Sequence, residues 1–224
     1  MGSRGTNRKV ATDQLPLFGS DGWPSMPVFP ARPESSLMFV LRPTNPVALR
    51  MHEDAATHLA VQRGRDAYPP HLLHMSLLCM GRFDKPPSRL IERARAIAAG
   101  IQARPIPITL DSAGLFGNSR HLALYRPKGN AMVGQFVRML GRALAQHNLP
   151  SFQASALMPH VTLAYDCRNI EPLPLTRNYA WISGEFMLVY SYHGQTRHEE
   201  LGRWAFDPKA VPYPPSFEQL RLMA

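Results

Sequence analysis

Cysteine is nearly absent from this chain of 224 residues, which holds only Cys79 and Cys167. Two cysteines cannot build a disulfide framework, and each follows an apolar run where a reduced thiol in the core or at a groove edge is the simpler reading. No apolar stretch approaches the roughly 18 residues of a membrane helix. Nothing after Arg4, Arg8 and Lys9 has the apolar core of a secretory leader. These scarcities argue against a secreted disulfide scaffold and a helical membrane protein, and predict a soluble, cytoplasmic monomer with no membrane attachment. Acidic residues are also few: Asp+Glu number 16 against 25 Lys+Arg, a formal net charge of +9. A cationic surplus favours a polyanionic partner through counterion release. Its carriers are scattered, however, over Arg89, Arg93, Arg95, Arg104, Arg120, Arg126, Arg138 and Arg142, many at positions that a solvated helix face explains better.

What is present falls into three stretches. Residues 1–35 hold Pro16, Pro24, Pro27, Pro30 and Pro33 among glycines and serines with no sustained period, the mark of an extended N-terminal arm. Residues 36–207 carry alternating strand and helix signals, and 208–224 form a C-terminal tail. Leu37–Arg42 reads as a first strand and 46–63 as a helix. Leu72–Met80 reads as a second strand, and Ser88 as the N-cap of a helix with Leu90, Ile91, Ala94, Ile97, Ala98 and Ile101 on one face. Ile106, Ile108 and Leu110 alternate as in a strand, and HLALY (121–125) is another. Met132, Phe136, Leu140 and Leu144 repeat every four residues in a helix over 131–146. With FMLVYSY and RWAF as closing strands, the chain is α+β.

Two short segments rhyme inside this pattern. His74-Met75-Ser76-Leu77 and His160-Val161-Thr162-Leu163 both read His-x-Ser/Thr-hydrophobic, 86 residues apart from 74 to 160. In an extended strand, side chains at i and i+2 share a face, so each strand offers an imidazole beside a hydroxyl. The spacing fits the same strand in two duplicated half-domains, which would let both pairs line one groove. Displacement at phosphorus needs one group to take a proton and another to supply one, and histidine, with a reference pKa near 6.5, serves for both. The hydroxyls of Ser76 and Thr162 would hold non-bridging phosphate oxygens. No metal or other cofactor is demanded.

With both tetrapeptides in view, the chain resembles the 2H phosphoesterases, in the branch of bacterial 2'-5' RNA ligases and RNA 2',3'-cyclic phosphodiesterases. The resemblance extends from about Leu37 to Phe206 and rests on the paired H-x-[ST]-hydrophobic signature. It implies a bilobal α+β fold with two antiparallel sheets facing a central cleft and helices outside. It also implies a metal-independent hydrolase opening 2',3'-cyclic phosphate ends of RNA, with reversible 2'-5' ligation as the same exchange run with a ribose hydroxyl. On that resemblance His160 aligns or deprotonates water and His74 protonates the departing oxygen, though the sequence leaves the reverse assignment open.

The chain departs from the pattern at two positions. The branch often carries an aromatic five residues after the first motif histidine and an arginine five after the second, where this chain has Cys79 and Tyr165. Losing a guanidinium removes a bidentate phosphate contact. Tyr165 and Phe39 are accordingly candidate substrate-stacking residues, although Tyr165 lies out of strand parity with His160. Two further readings stay open: a phosphoesterase on a small cyclic nucleotide or ADP-ribose derivative, and a non-catalytic nucleic-acid-binding module. His52, His58 and His147 fall on helices, His71 and His121 near strand ends, and His193 and His198 flank a turn that we expect to be solvated. In the arm, Gln14-Leu15-Pro16-Leu17-Phe18 resembles a peptide that docks on the replication sliding clamp, against the alternative that its apolar residues pin the arm to the core.

Overall fold

Strand parity explains the centre of the molecule. In β1 (Ser35–Leu41), Leu37, Phe39 and Leu41 lie on one face and are fully buried, as period-two alternation requires. The computed structural model describes residues 35–62, 65–116, 121–152, 158–167 and 170–213. The arm, its Gln14–Phe18 segment, Arg120 and most of the C-terminal tail lie outside the described residues.

Pro46 starts α1 (Asn45–Val61), where its missing N–H costs no helical bond. A 3-10 turn over Pro70–Leu72 leads into β2 (Met75–Phe83), followed by α2 (Ser88–Ala99). Ser88 is the first residue of that helix rather than its cap: the cap position is Pro87, with no side-chain cap bond. The paired prolines set the entry into the helix in place of a hydroxyl. Next come β3 (Ile106–Leu110), β4 (Ser112–Phe116), β5 (His121–Tyr125) and α3 (Ala131–Gln146), which keeps the predicted limits because its apolar repeat is unbroken. The chain closes with β6 (His160–Ala164), β7 (Tyr179–Ser183), β8 (Glu185–Tyr192) and β9 (Arg197–Ala205).

The fold is α+β. Seven strands form one antiparallel sheet in the order β4-β5-β6-β2-β1-β8-β9, and β3 pairs with β7 in a second sheet. The order is near-palindromic about the β6/β2 junction: β5 flanks β6 on one side as β1 flanks β2 on the other. The two halves meet there through a single residue pair, Met75 with Val161. Helices reinforce this seam, since α1 of the first half packs on β6 and α3 of the second half packs on β2.

Local irregularity aims β2. Its pairing with β1 slips by one residue twice, between Leu37 and Met38 and between Phe39 and Val40, so β2 carries extra residues that bend and twist the strand. The slip at Phe39/Val40 accounts for Leu77 and Leu78 both being buried although they are neighbours. The main core lies between sheet and helices, while Val40, Met187 and Val189, with Met38 against them, form a small apolar patch of their own.

Candidate active site

At the seam, Met75 and Val161 face each other and are fully buried. Their immediate neighbours must then point to the opposite face. Extending the antiparallel register by one residue each way sets His74 across from Thr162 and Ser76 across from His160. The two motifs thus interdigitate, each imidazole opposite the other motif's hydroxyl. Ser76 is exposed and His74, His160 and Thr162 are half-buried, unlike the buried Met75 and Val161 between them.

Each histidine is oriented by its own chain. His74 Nδ1 lies 2.8 Å from the Leu72 carbonyl, and His160 Nδ1 lies 2.9 Å from the Met158 carbonyl, in both cases two residues upstream. A carbonyl oxygen only accepts, so Nδ1 carries the proton and donates, which leaves Nε2 free to accept one in the neutral ring. Burial pushes the His74 imidazole down to about 4, with Arg42 and His160 adding to the effect against the opposing Leu72 bond. Burial lowers His160 too. Both rings are therefore neutral at pH 7 in the free protein.

Ring contacts extend the site. Phe116, at the end of β4, stacks on His160 with centroids 4.8 Å apart and planes 21° from parallel. His198, on β9, meets His74 edge-on at 4.8 Å. Tyr68 stands 6.5 Å from His198 and 5.3 Å from Tyr165, which in turn lies 5.0 Å from His121. Tyr165 follows the last residue of β6, and Asp166 beyond it takes φ 55°. The chain turns at this point, so strand parity no longer governs Tyr165. Burial of its hydroxyl, with Tyr68 nearby, raises it to about 12, offset in part by a hydrogen bond with the Thr162 side chain. The residue as a whole remains 42% exposed.

Two expectations need correction. Phe39 is fully buried against Phe186 and Trp204, each 6.2 Å away, and has no free face for a base. Its parity with Leu37 and Leu41 was the available signal. The turn between β8 and β9 is present, but His193 bonds Ser36 Oγ at 2.8 Å, and His198 points back to His74 rather than into solvent. His52, His58 and His147 bond the carbonyls of Tyr68, Glu171 and Ala143, apart from the two motifs. Sequence reasoning did not find Phe116, Tyr68, His198 or Arg42, since they arrive from four separate segments. Cys79 and Cys167 are free thiols. Among the described residues no group of three or more His, Cys, Asp or Glu is arranged to hold a metal ion, and no helix is long and apolar enough to cross a membrane. A hollow of about 350 Å³ between α2 and β9, lined by Glu92, Arg95, Arg203 and Trp204, contains none of the motif groups.

Comparison with known proteins bears on this arrangement. The fold is that of Escherichia coli LigT: the apo crystal structure superposes with a TM-score of 0.61 at 24% identity, covering 78% of this chain and 99% of LigT. A crystal structure described as a phosphoesterase gives 0.62 at 25% identity, with 78% and 99% coverage. The Thermus thermophilus protein TT0787 gives 0.59 at 20% identity, again with 78% and 99% coverage. LigT has also been crystallised with 3'-AMP. No curated protein sequence matches the chain. The family model of the 2'-5' RNA ligase superfamily matches residues 46–188, a span that contains both His-x-Ser/Thr motifs and the seam between them. The chain therefore belongs to the 2'-5' RNA ligase superfamily of 2H phosphoesterases.

Proposed function

We propose that this protein is a metal-independent phosphodiesterase that opens 2',3'-cyclic phosphate ends of RNA to a phosphomonoester. The observation that supports this best is the facing pair of motifs, with an Nε2 free on each imidazole and a hydroxyl across from each. Water attacks phosphorus as His160 Nε2 takes its proton. The bond from phosphorus to one ribose oxygen breaks, and that oxygen receives a proton from the His74 imidazolium. Ser76 and Thr162 hold the non-bridging oxygens. The phosphodiester anion raises the pKa of the imidazole next to it, supplying the protonated acid that the free site lacks. With a ribose hydroxyl in place of water, the same exchange forms a 2'-5' linkage. The 3'-AMP bound by LigT, a nucleoside 3'-monophosphate, is the kind of product such opening yields.

The test is hydrolysis of a cyclic-phosphate-ended oligonucleotide and of the matching cyclic mononucleotide, with EDTA present, by wild type and the His74→Ala and His160→Ala variants. Turnover that survives EDTA and is lost in both variants is the expected result. If folded protein opens neither substrate, the RNA-end reading fails, and cyclic phosphates of ADP-ribose derivatives are next. If both variants retain wild-type RNA affinity and wild type shows no turnover on any of these, the protein is a binding module.

A further inference from the structure

Three nitrogens beside His74 lack partners. Nδ1 and Nε2 of His198 and Nε of Arg42 are shielded from solvent and have no hydrogen-bond partner among the described residues. Buried polar groups in folded proteins are nearly always paired, so such a cluster calls for a ligand or a function. The two side chains come from different strands. Arg42 follows β1 directly, and extending the Leu41–Met75 pairing by one residue sets it across from His74. His198 reaches His74 from β9, edge-on at 4.8 Å.

Sheet order decides which side of His74 this is. β2 lies between β6, which carries His160, and β1, which leads to Arg42. A phosphate held between the two motif histidines would have Arg42 on the far side of His74, one strand spacing away, about 4.8 Å. The free groups are donors. Arginine Nε–H can only donate, and a neutral imidazole donates from one nitrogen; an anion alongside favours the second proton, and with it donation from both. The carboxylates whose charge acts on Arg42 are Glu200 and Glu185. Both are engaged by Arg203, whose Nε and Nη2 bond the two Glu200 oxygens at 2.9 and 2.7 Å and whose Nη1 bonds Glu185. Arg42 makes no ion pair among the described residues. The other groups facing this position are Tyr68 toward Arg42, and His71, His74 and His193 toward His198, none of them an anion in the neutral range.

We propose that Arg42 and His198 form a second anion position that takes the phosphodiester immediately 5' of the reacting nucleotide, so that the substrate is an RNA end rather than a free cyclic nucleotide. This rests on the cyclic-phosphodiesterase reading and names its substrate class. It also gives the site a guanidinium from the first half of the chain, where the second motif carries Tyr165.

Three substrates separate the sources of that anion: a cyclic mononucleotide with a free 5'-hydroxyl, the same nucleotide with a 5'-phosphate, and a cyclic-phosphate-ended dinucleotide. Wild type should favour the dinucleotide over the 5'-hydroxyl form by about tenfold or more in kcat/KM, mainly through KM, as a charged hydrogen bond implies. Arg42→Gln and His198→Gln should each shrink that ratio to about twofold, whereas Arg138→Gln, an exposed charge on α3, should leave it intact. Should one variant not fold, the other decides. Equal rates on all three substrates in wild type, or variants that slow all three alike, would overturn the proposal. So would a 5'-phosphorylated mononucleotide that outperforms the dinucleotide, since the position would then serve a terminal phosphate. Failure of the reaction itself is read separately. Titrating wild type and Arg42→Gln with a 3'-phosphorylated dinucleotide and a nucleoside 3'-monophosphate scores the anion position by binding, and equal affinities for the two in wild type would reject it.

Discussion

At the residue scale the site is two copies of one device, an imidazole held through Nδ1 with Nε2 presented. Removing either ring should cost about 10²- to 10⁴-fold in kcat, the range for positioned proton transfer, with circular dichroism and melting temperature near wild type. A substrate with a p-nitrophenolate leaving group assigns the roles, because it needs no acid. His74→Ala should then lose far less than His160→Ala, and equal losses would contradict the assignment. The pH dependence follows from the same rings. With the His74 pKa near 4 in the free protein, its protonated fraction falls about tenfold per unit above that, so kcat/KM should decline toward neutrality. A bound phosphate raises that pKa, which moves the kcat profile to higher pH. Coincident profiles would mean that no anion sits beside His74. The motif residues were legible because a tetrapeptide and strand parity are local. His198 and Arg42 were not, because Arg42 meets β2 only through strand pairing and His198 comes from β9, three strands away in the sheet order.

Elements carry the alignment of the halves. One residue pair joins β2 to β6, and α1 and α3 each brace the other half's motif strand. Met75→Ala should cost about 2–5 kcal/mol in denaturant unfolding, and Leu144→Ala, fully buried on α3, should cost a comparable amount. Only Met75→Ala should also depress kcat at temperatures where both remain folded, and equal kcat values would show that the seam does not set the geometry. A second joint is Asn130, buried before α3, whose side chain accepts from the Thr109 N–H at 3.0 Å and donates to the Thr109 carbonyl at 3.1 Å. Asn130→Ala strands both backbone groups and should destabilise by about 1–3 kcal/mol, measurable by urea unfolding. Helix limits were readable from apolar periods, α3 to the residue. The pairing of β3 with β7 and the crossing of helices between halves were not, since both depend on contacts distant in sequence.

Across the whole molecule, lowered imidazoles at His74, His160, His193 and His198 link stability to pH. Burial is the first cause at each, and His198 is pushed furthest, to about 3. Their unfolded values lie near 6.5, so the unfolded chain binds more protons as pH falls below that. Their contribution to stability is full above about pH 6.5 and is lost progressively on acidification toward the folded values. Melting temperature should therefore drop between pH 7 and 4, and His198→Phe should flatten the slope. An unchanged slope would show that His198 titrates normally. The net charge of +9 should make kcat/KM fall with rising salt for oligonucleotides more steeply than for mononucleotides.

The carbonyl that orients each histidine lies two residues upstream in the same segment, so each motif brings its own orienting group and depends on no other element for it. Alignment of the two motifs is a separate matter, set by the one register at Met75 and Val161 and by the helices that cross it. Surrounding positions such as Tyr165 and Arg42 can then be exchanged without disturbing the orientation of either imidazole.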